Sequence, residues 1–307
     1  MTSAPARPHR RRATGAGMVA AVVVAAAVVV GGSEKPAAAA VADPVVSTAG
    51  DIACSSNDPN YNGGAGTEWN CRQRHTSDMI LGADYVFVLG DQQYWRATLN
   101  QYQTVYDSTW GRKKSVTFPT PGDHEYQTPG ATGYYGYFGV EPYYSFDIGS
   151  WHWVSLNSEI DHSAGSPQVA WLQQDLAATS KPCIGAFWST PVFTSSYKGN
   201  NPTYRPFWDA LYAVGADLVL AGDSHLYERF TKMSPDGTPT GDGIRQFVVG
   251  TGGKSLINFS TIKPTSEAHA AVFGVLDLRL GSSDYGWNFR TESGGSFSDS
   301  GNAACNP

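Results

Sequence analysis

The sequence predicts an α/β fold in which two mixed sheets pack face to face between flanking helices. Three observations predict it: β-like and helix-like runs alternate along the chain, hairpin-like pairs are added to them, and five motif segments each stand where a β-like run ends. Those segments are Gly50-Asp51, Gly90-Asp91-Gln92-Gln93-Tyr94, Gly122-Asp123-His124-Glu125, Ser189-Thr190-Pro191 and Gly222-Asp223-Ser224-His225. A strand stopping at Gly-Asp projects a carboxylate from its C-terminal edge on a tight turn that glycine allows, and several such edges side by side make a metal site.

The elements follow in order. Residues 45–49 form a short β-like run ending at Asp51, 76–81 read as a helix, and 85–89 form a second run ending at Asp91. Residues 99–110 read as a helix and 116–119 as extended, after which Pro121-Gly122 delivers Asp123 and His124. Runs 143–148 and 151–156, split by Gly149-Ser150, alternate as a hairpin. A helix starts at Ser166 with Val169, Leu172 and Leu176 on one face, and 184–188 is a buried strand. Pro206 opens a helix with Leu211 and Val214 on one face, 216–220 is a strand, and 247–249 and 272–280 supply later strands.

Composition narrows the function classes. Arg7 and Arg10-Arg11-Arg12 make a basic stretch, 18–30 an apolar one, and Ala40-Val41-Ala42 a small-residue cleavage site before Asp43-Pro44, which is the layout of a secretory signal. A spanning helix needs about 20 apolar residues. The expectation is therefore a signal peptide over 1–42, no permanent membrane span, and one exported domain over 43–307. The chain has 21 Lys+Arg against 27 Asp+Glu. Five of the basic and one of the acidic residues fall in the signal, leaving 16 against 26. Nothing in that acidic remainder resembles the basic stripe that nucleic-acid binding requires.

All four cysteines, Cys54, Cys71, Cys183 and Cys305, lie in the exported part, where an even count reads as two disulfides. Three pairings are possible. The preferred one joins Cys54 to Cys71 across the short Gly/Asn-rich loop 55–70, leaving Cys183 to Cys305. No C-x-x-C pair favours cysteine as a metal ligand.

The motifs Gly-Asp at Asp51, Gly-Asp-x-x-Tyr at Asp91 and Tyr94, Gly-Asp-His-Glu at 122–125 and Ser-His-Leu-Tyr-Glu-Arg at 224–229 resemble those of the calcineurin-like metallophosphoesterases, and within them the purple acid phosphatase branch. The resemblance covers nearly the whole exported part and implies a four-layer α/β/β/α sandwich. It makes Asp51, Asp91, Tyr94 and His225 the ligands of a first metal, with Asp91 bridging to a second. Two carboxylates, a phenolate and an imidazole suit Fe(III), and a tyrosinate–iron bond would colour the protein.

The second set departs from the pattern. Asp123 stands where the family has Asn, Ser189 where it has the His of a His-x-Pro segment, and Asp223 where it has the first His of G-H-x-H. Asp91, Asp123, Asp223 and Ser189 would then bind a second ion through oxygen alone, which suits Mn²⁺, Mg²⁺ or Ca²⁺ better than Zn²⁺. With no ion, Asp123 and Asp223 would repel and one would take up a proton. Thr190 replaces a further family His, so phosphate contacts are depleted. Glu125, Glu228 and Arg229 read as residues that orient the ligand loops.

The implied activity is hydrolysis of a small phosphomonoester by a metal-bound hydroxide, with His124 protonating the leaving group. Two readings compete: one metal acting on a non-phosphate substrate, and a non-catalytic binding protein on the same scaffold. Other motifs are decoys. Gly253-Lys254-Ser255 ends a would-be nucleotide loop, but Val248 holds the position that needs Gly, so 250–255 reads as a turn near the active edge. No G-x-S-x-G elbow occurs. His75, His152, His162 and His269 fit no metal spacing, and Trp95, Trp110, Trp151, Trp153 and Trp188 read as core more than as substrate contacts.

Overall fold

The computed structural model describes residues 42–292 and 294–307, so all but the last residue of the segment read as an export signal lies outside the described residues. The strands are β1 (Val45–Ala49), β2 (Tyr85–Leu89), β3 (Thr117–Thr120), β4 (Tyr144–Ile148), β5 (Trp151–Ser155), β6 (Cys183–Trp188), β7 (Leu218–Ala221), β8 (Tyr227–Met233), β9 (Ile244–Val249), β10 (Ser266–Ala270), β11 (Gly274–Leu280), β12 (Asp284–Thr291) and β13 (Ser298–Ala304). The α-helices are α1 (Gln73–Met79), α2 (Leu99–Gln101), α3 (Asp123–Tyr126), α4 (Thr132–Phe138), α5 (Pro167–Ala178) and α6 (Arg205–Tyr212).

Two sheets form, in the orders β13-β12-β11-β1-β2-β3 and β10-β8-β9-β7-β6-β5-β4. Both are mixed: β1, β2 and β3 run parallel, as do β5, β6, β7 and β9, and the remaining pairs are antiparallel. Phe87 of β2 shows that they pack face to face. Its ring stacks on Phe187 of β6 and meets Trp153 of β5 edge-on, each at 4.9 Å between centroids.

Because strand side chains alternate, Ala186 and Trp188 face the other way, into a separate core with Leu172 and Leu176 of α5 and Phe207 and Leu211 of α6. On the far side of the first sheet, the Trp110 indole donates to Thr76 of α1 at 3.1 Å, and Tyr102, Tyr106 and Tyr137 join the central core. The layers are the expected α/β/β/α.

Local signals explain the helix starts. Ser166 caps α5 by accepting from the Val169 N–H, with Pro167 in the first turn. The helix expected over 99–110 is broken instead. Thr98 and Gln101 form a capping box, and a π-helical turn at Tyr102–Tyr106 and a 3₁₀ turn at Trp110–Val116 follow. The wider turn brings Tyr102 and Tyr106 together against Tyr137, with Tyr102 stacked on that ring at 4.9 Å.

The disulfides join Cys54 to Cys71 and Cys183 to Cys305, with Cα atoms 5.3 and 5.5 Å apart. The second ties the C-terminus to the start of β6 across 122 positions. No described helix is long and apolar enough to cross a membrane.

His152 of β5 clamps the β4–β5 hairpin to α5. Its Nδ1 lies 2.9 Å from Asp147 of β4 and its Nε2 2.8 Å from Asp175 of α5. Burial pulls its pKa down, but the bonds and charges of Asp175 and Asp147 outweigh burial and hold it above the usual imidazole value. A raised folded-state value means the contribution is complete below the unfolded value of about 6.5 and fades as pH rises through the folded one. Urea unfolding should therefore show His152→Gln more destabilised relative to wild type at about pH 5.5 than at about pH 9; an equal difference at both would contradict the clamp.

Candidate metal centre

The motif segments follow the C-terminal ends of parallel strands. Asp51, Asp91 and Asp123 come after β1, β2 and β3 of one sheet; Ser189, Asp223 and the 250–255 loop come after β6, β7 and β9 of the other. At this edge the two sheets touch through main chain. The Gly50 N–H donates to the Val249 carbonyl at 2.8 Å, and the Gly252 N–H to the Gly50 carbonyl at 2.8 Å. The role expected of glycine is only partly correct. The left-handed backbone falls on the aspartates themselves, with φ 58° at Asp51, 50° at Asp91 and 59° at Asp223, and among the glycines preceding them only Gly90 shares it, at 83°. At Gly50 a side chain is excluded by the Leu89 carbonyl, which a Cβ would meet at 2.7 Å; at Gly250 it is excluded by Asp51 Oδ2, also at 2.7 Å. Non-glycine residues in that region are strained, and such strain gathers at functional sites.

The four side chains read as first-metal ligands converge. Tyr94 Oη lies 2.8 Å from Asp51 Oδ1, 2.9 Å from Asp91 Oδ2 and 3.2 Å from His225 Nε2, and His225 Nε2 is 2.9 Å from Asp51 Oδ1. Asp51, Asp91 and Tyr94 are buried. Asp51 Oδ2 is buried with no protein hydrogen-bond partner, an exception that calls for an ion or water.

Main chain orients both imidazoles. His225 Nδ1 lies 3.0 Å from the Ser255 carbonyl and 2.9 Å from its hydroxyl. A carbonyl only accepts, so Nδ1 carries a proton and Nε2 is the nitrogen aimed at the cluster. His124 Nδ1 bonds the Trp95 carbonyl at 2.9 Å, and its ring lies 4.0 Å from that of Tyr94.

The 250–255 turn is more than a neighbour of the active edge. The Lys254 N–H donates to the Asp51 carbonyl at 2.8 Å, and Lys254 Nζ pairs with Asp58 at 3.0 Å while lying 4.8 Å above the Trp95 ring. Glu125 joins two motif loops: its carboxylate accepts from the N–H groups of Asp91 and Gly122, each at 2.8 Å, from Gln92 at 3.1 Å, and from the Tyr102 hydroxyl at 3.1 Å. Glu228 accepts from the Ser195 N–H at 2.7 Å and so holds the loop after β6. Arg229 instead pairs with Asp299, with its Nε 2.7 Å from the carboxylate.

The protein groups leave the cluster short of positive charge. Asp91 is pushed well above the carboxylate range by burial, then by the charges of Asp51, Asp123, Glu125 and Asp223. Burial pushes Glu125 up to about 8, against the donors that favour its anion. Tyr94 is raised by burial and by Asp51 and Asp91. Burial would also raise Asp51, but His225, Lys198 and Tyr94 outweigh it and hold Asp51 below its usual value. A bound cation would bring each of these groups back toward its anion. Donor set, orphaned oxygen and charge deficit all fit a hard metal ion.

The second set is assembled differently. One donor atom each of Asp91, Asp123 and His124 lie within 4.8 Å of one another. Ser189 Oγ borders Gly90 and Gly122. Asp223, however, is already paired: Lys198 Nζ lies 2.8 Å from its Oδ1 and 2.8 Å from its carbonyl oxygen. Burial raises Asp223 although Lys198 opposes the shift, and Asp51 and Asp123 add to it. Glu159, raised by burial, feels the charges of Asp123 and Asp223. These residues do not fit a second metal as the first set fits one. Lys198 and Glu159 were not singled out from sequence, and Ser255 only as the end of the 250–255 turn. A lysine six residues after the acid-free Thr-Pro turn at 190–192 carries no motif, and only the path of the loop brings it to Asp223.

The fold and the strand-edge aspartates define the class, a calcineurin-like metallophosphoesterase fold. Within it the chain is similar in sequence to purple acid phosphatases. It is 30% identical over 158 residues to purple acid phosphatase 23 of Arabidopsis thaliana, covering 43% of this chain and 34% of that protein. It is 28% identical over 248 residues to purple acid phosphatase 21 of the same plant, covering 70% and 54%. A purple acid phosphatase structure from yellow lupin (Lupinus luteus) seeds superposes with a TM-score of 0.73 at 20% identity, over 86% of this chain and 54% of that one. The chain thus spans about half the length of these relatives or less. No protein-family model matches it.

Glu125→Gln would turn an amide N–H toward main-chain N–H groups that now donate to a carboxylate. Metal titration followed by calorimetry should show about 10–100-fold weaker binding, and thermal melts a loss of about 1–3 kcal/mol. Unchanged affinity would show that Glu125 does not set the Asp91 loop.

Proposed function

We propose that this chain is an exported metal-dependent phosphoesterase hydrolysing a small phosphomonoester. The observation that carries this reading is the convergence of Asp51, Asp91, Tyr94 and His225 at 2.8–3.2 Å about the Tyr94 hydroxyl and His225 Nε2. These four side chains would hold one ion, and a phenolate with two carboxylates suits Fe(III). When bound, such an ion supplies Lewis acidity toward a phosphoryl oxygen. Sequence similarity to purple acid phosphatases supports the reaction class, and two disulfides support export.

The chain's own residues supply the proton. His124 has Nδ1–H committed to the Trp95 carbonyl, so its Nε2 is the nitrogen that, in the imidazolium form, would donate a proton to the departing alkoxide, as general acid catalysis requires. Its half-buried ring rests on Tyr94, which fixes the direction of donation. Asp123 is exposed beside it. We assign no step to a second ion. Asp91, Asp123, Asp223 and Ser189 offer only oxygen, which Mn²⁺, Mg²⁺ or Ca²⁺ would accept, and Asp223 is engaged by Lys198. That ion pair favours a one-metal enzyme over a two-metal one.

Purified chain should contain iron and show a visible absorption band that Tyr94→Phe removes. It should hydrolyse p-nitrophenyl phosphate, and Asp91→Ala should reduce turnover to background. Absence of hydrolysis with Fe, Mn²⁺, Mg²⁺ and Ca²⁺ alike, or activity that survives Asp91→Ala, would overturn the reading. His124→Ala should cost about 10²–10⁴-fold in kcat on an alkyl phosphate, whose leaving group needs the proton, and much less on the p-nitrophenyl ester. Equal losses on both would remove His124 from that role.

A further inference from the structure

We propose that Lys198 acts as a built-in cation at the position where a second metal would bind, and that its ammonium holds a phosphoryl oxygen of the substrate. The proposal rests on the phosphoesterase reading and supplies its missing phosphate contact. Measured against the purple acid phosphatase pattern that the sequence resembles, positions 123, 189 and 223 carry two carboxylates and a hydroxyl in place of an amide and two imidazoles. Uncompensated, those charges would repel a phosphate dianion, because like charges a few ångströms apart in a partly dry site are poorly screened.

Lys198 supplies the compensation. Its Nζ is 2.8 Å from both Asp223 Oδ1 and the Asp223 carbonyl. Asp223 stands two residues before His225 of the first metal set, so the ammonium lies on the side of that set bearing Asp223. An ammonium has three N–H donors. Two have partners on Asp223, and the side chain is still 35% exposed, so the third can reach a ligand from solvent. The adjoining cavity of about 180 Å³ lies between Thr190, Asn200 and Asp223.

The loop is built to hold the lysine in place. The Ser195 N–H is anchored on buried Glu228 at 2.7 Å, and the Ser196 hydroxyl lies 3.2 Å from that of Ser224, next to Asp223. The same Ser196 hydroxyl accepts from the Lys198 N–H at 3.3 Å, and Gly199 closes a turn onto the Ser196 carbonyl at 3.1 Å. Gln246 of β9 donates to the Phe193 carbonyl at 2.5 Å, which fixes the start of the loop. The Lys198 backbone is thus positioned through the same segment that carries Asp223 and His225. A chance surface ion pair would not need these anchors.

The test uses the full chain, wild type and as Lys198→Met and Lys198→Arg, with folding verified by circular dichroism. Metal content is measured by mass spectrometry after saturation with Fe and Mn²⁺, and affinity for inorganic phosphate by calorimetry. The expected result is one ion per wild-type chain. Phosphate binding should weaken at least about tenfold in Lys198→Met, the loss of one charge-assisted hydrogen bond, and be largely retained in Lys198→Arg. Two ions per wild-type chain, or phosphate affinity unchanged in Lys198→Met, would overturn the lysine proposal and leave the phosphoesterase reading standing. No ion in any variant would overturn both.

Discussion

The Gly50 N–H to Val249 carbonyl bond, followed by main-chain bonds from Gly252 to Gly50 and from Lys254 to Asp51, joins the ends of two sheets whose cores pack through side chains. Face-to-face sheets stand about 10 Å apart where their cores interdigitate. Here the gap closes to a 2.8 Å hydrogen bond between strand ends. A side chain at Gly50 or Gly250 would collide with the Leu89 carbonyl or with Asp51. Everything the centre does depends on that closure. It sets Asp51 and Asp91, which follow strands of one sheet, against His225, which follows a strand of the other, at bonding distance through Tyr94.

Closure at that edge concentrates negative charge, and the chain answers it unequally. On one side of Asp91 the donors are mixed, buried and oriented by main chain, a set that a hard metal ion satisfies. On the other, the Lys198 ammonium lies 2.8 Å from the Asp223 carboxylate. A metal and an ammonium are different solutions to the same electrostatic problem. The metal polarises and orders its ligands, while the ammonium neutralises and donates. Asp51 and Asp223 are both in the left-handed region, yet His225, Lys198 and Tyr94 hold Asp51 below its usual pKa, while burial with the charges of Asp51 and Asp123 outweighs Lys198 and raises Asp223.

Most of the fold and half of the centre were legible in the sequence. Gly-Asp at a strand end is a local signal that Asp51 and Asp91 carry, and Tyr94 follows three residues after Asp91. The disulfide behind Asp51 was legible because Cys54 and Cys71 close a short loop. The helix expected over 99–110 failed because apolar spacing cannot distinguish a continuous helix from one that widens to bring Tyr102 to Glu125, a partner 23 positions away. Strand β12 does alternate, with Tyr285, Trp287 and Phe289 directed to the core, and its signal went unread; β13, with Ser-Asp-Ser-Gly-Asn, has almost none. The contacts of Lys198 and Ser255 were invisible for a different reason. Each is defined by the residue it faces across the fold, 25 or 30 positions away.

Both imidazoles of the centre take their orientation from peptide carbonyls, His124 from Trp95 and His225 from Ser255. A carbonyl is common to every amino acid. The indole of Trp95 is 56% exposed at the rim, so it can change identity without removing the acceptor that holds His124. A substitution at Trp95 would therefore reshape the exposed rim of the centre while leaving in place the acceptor that orients His124.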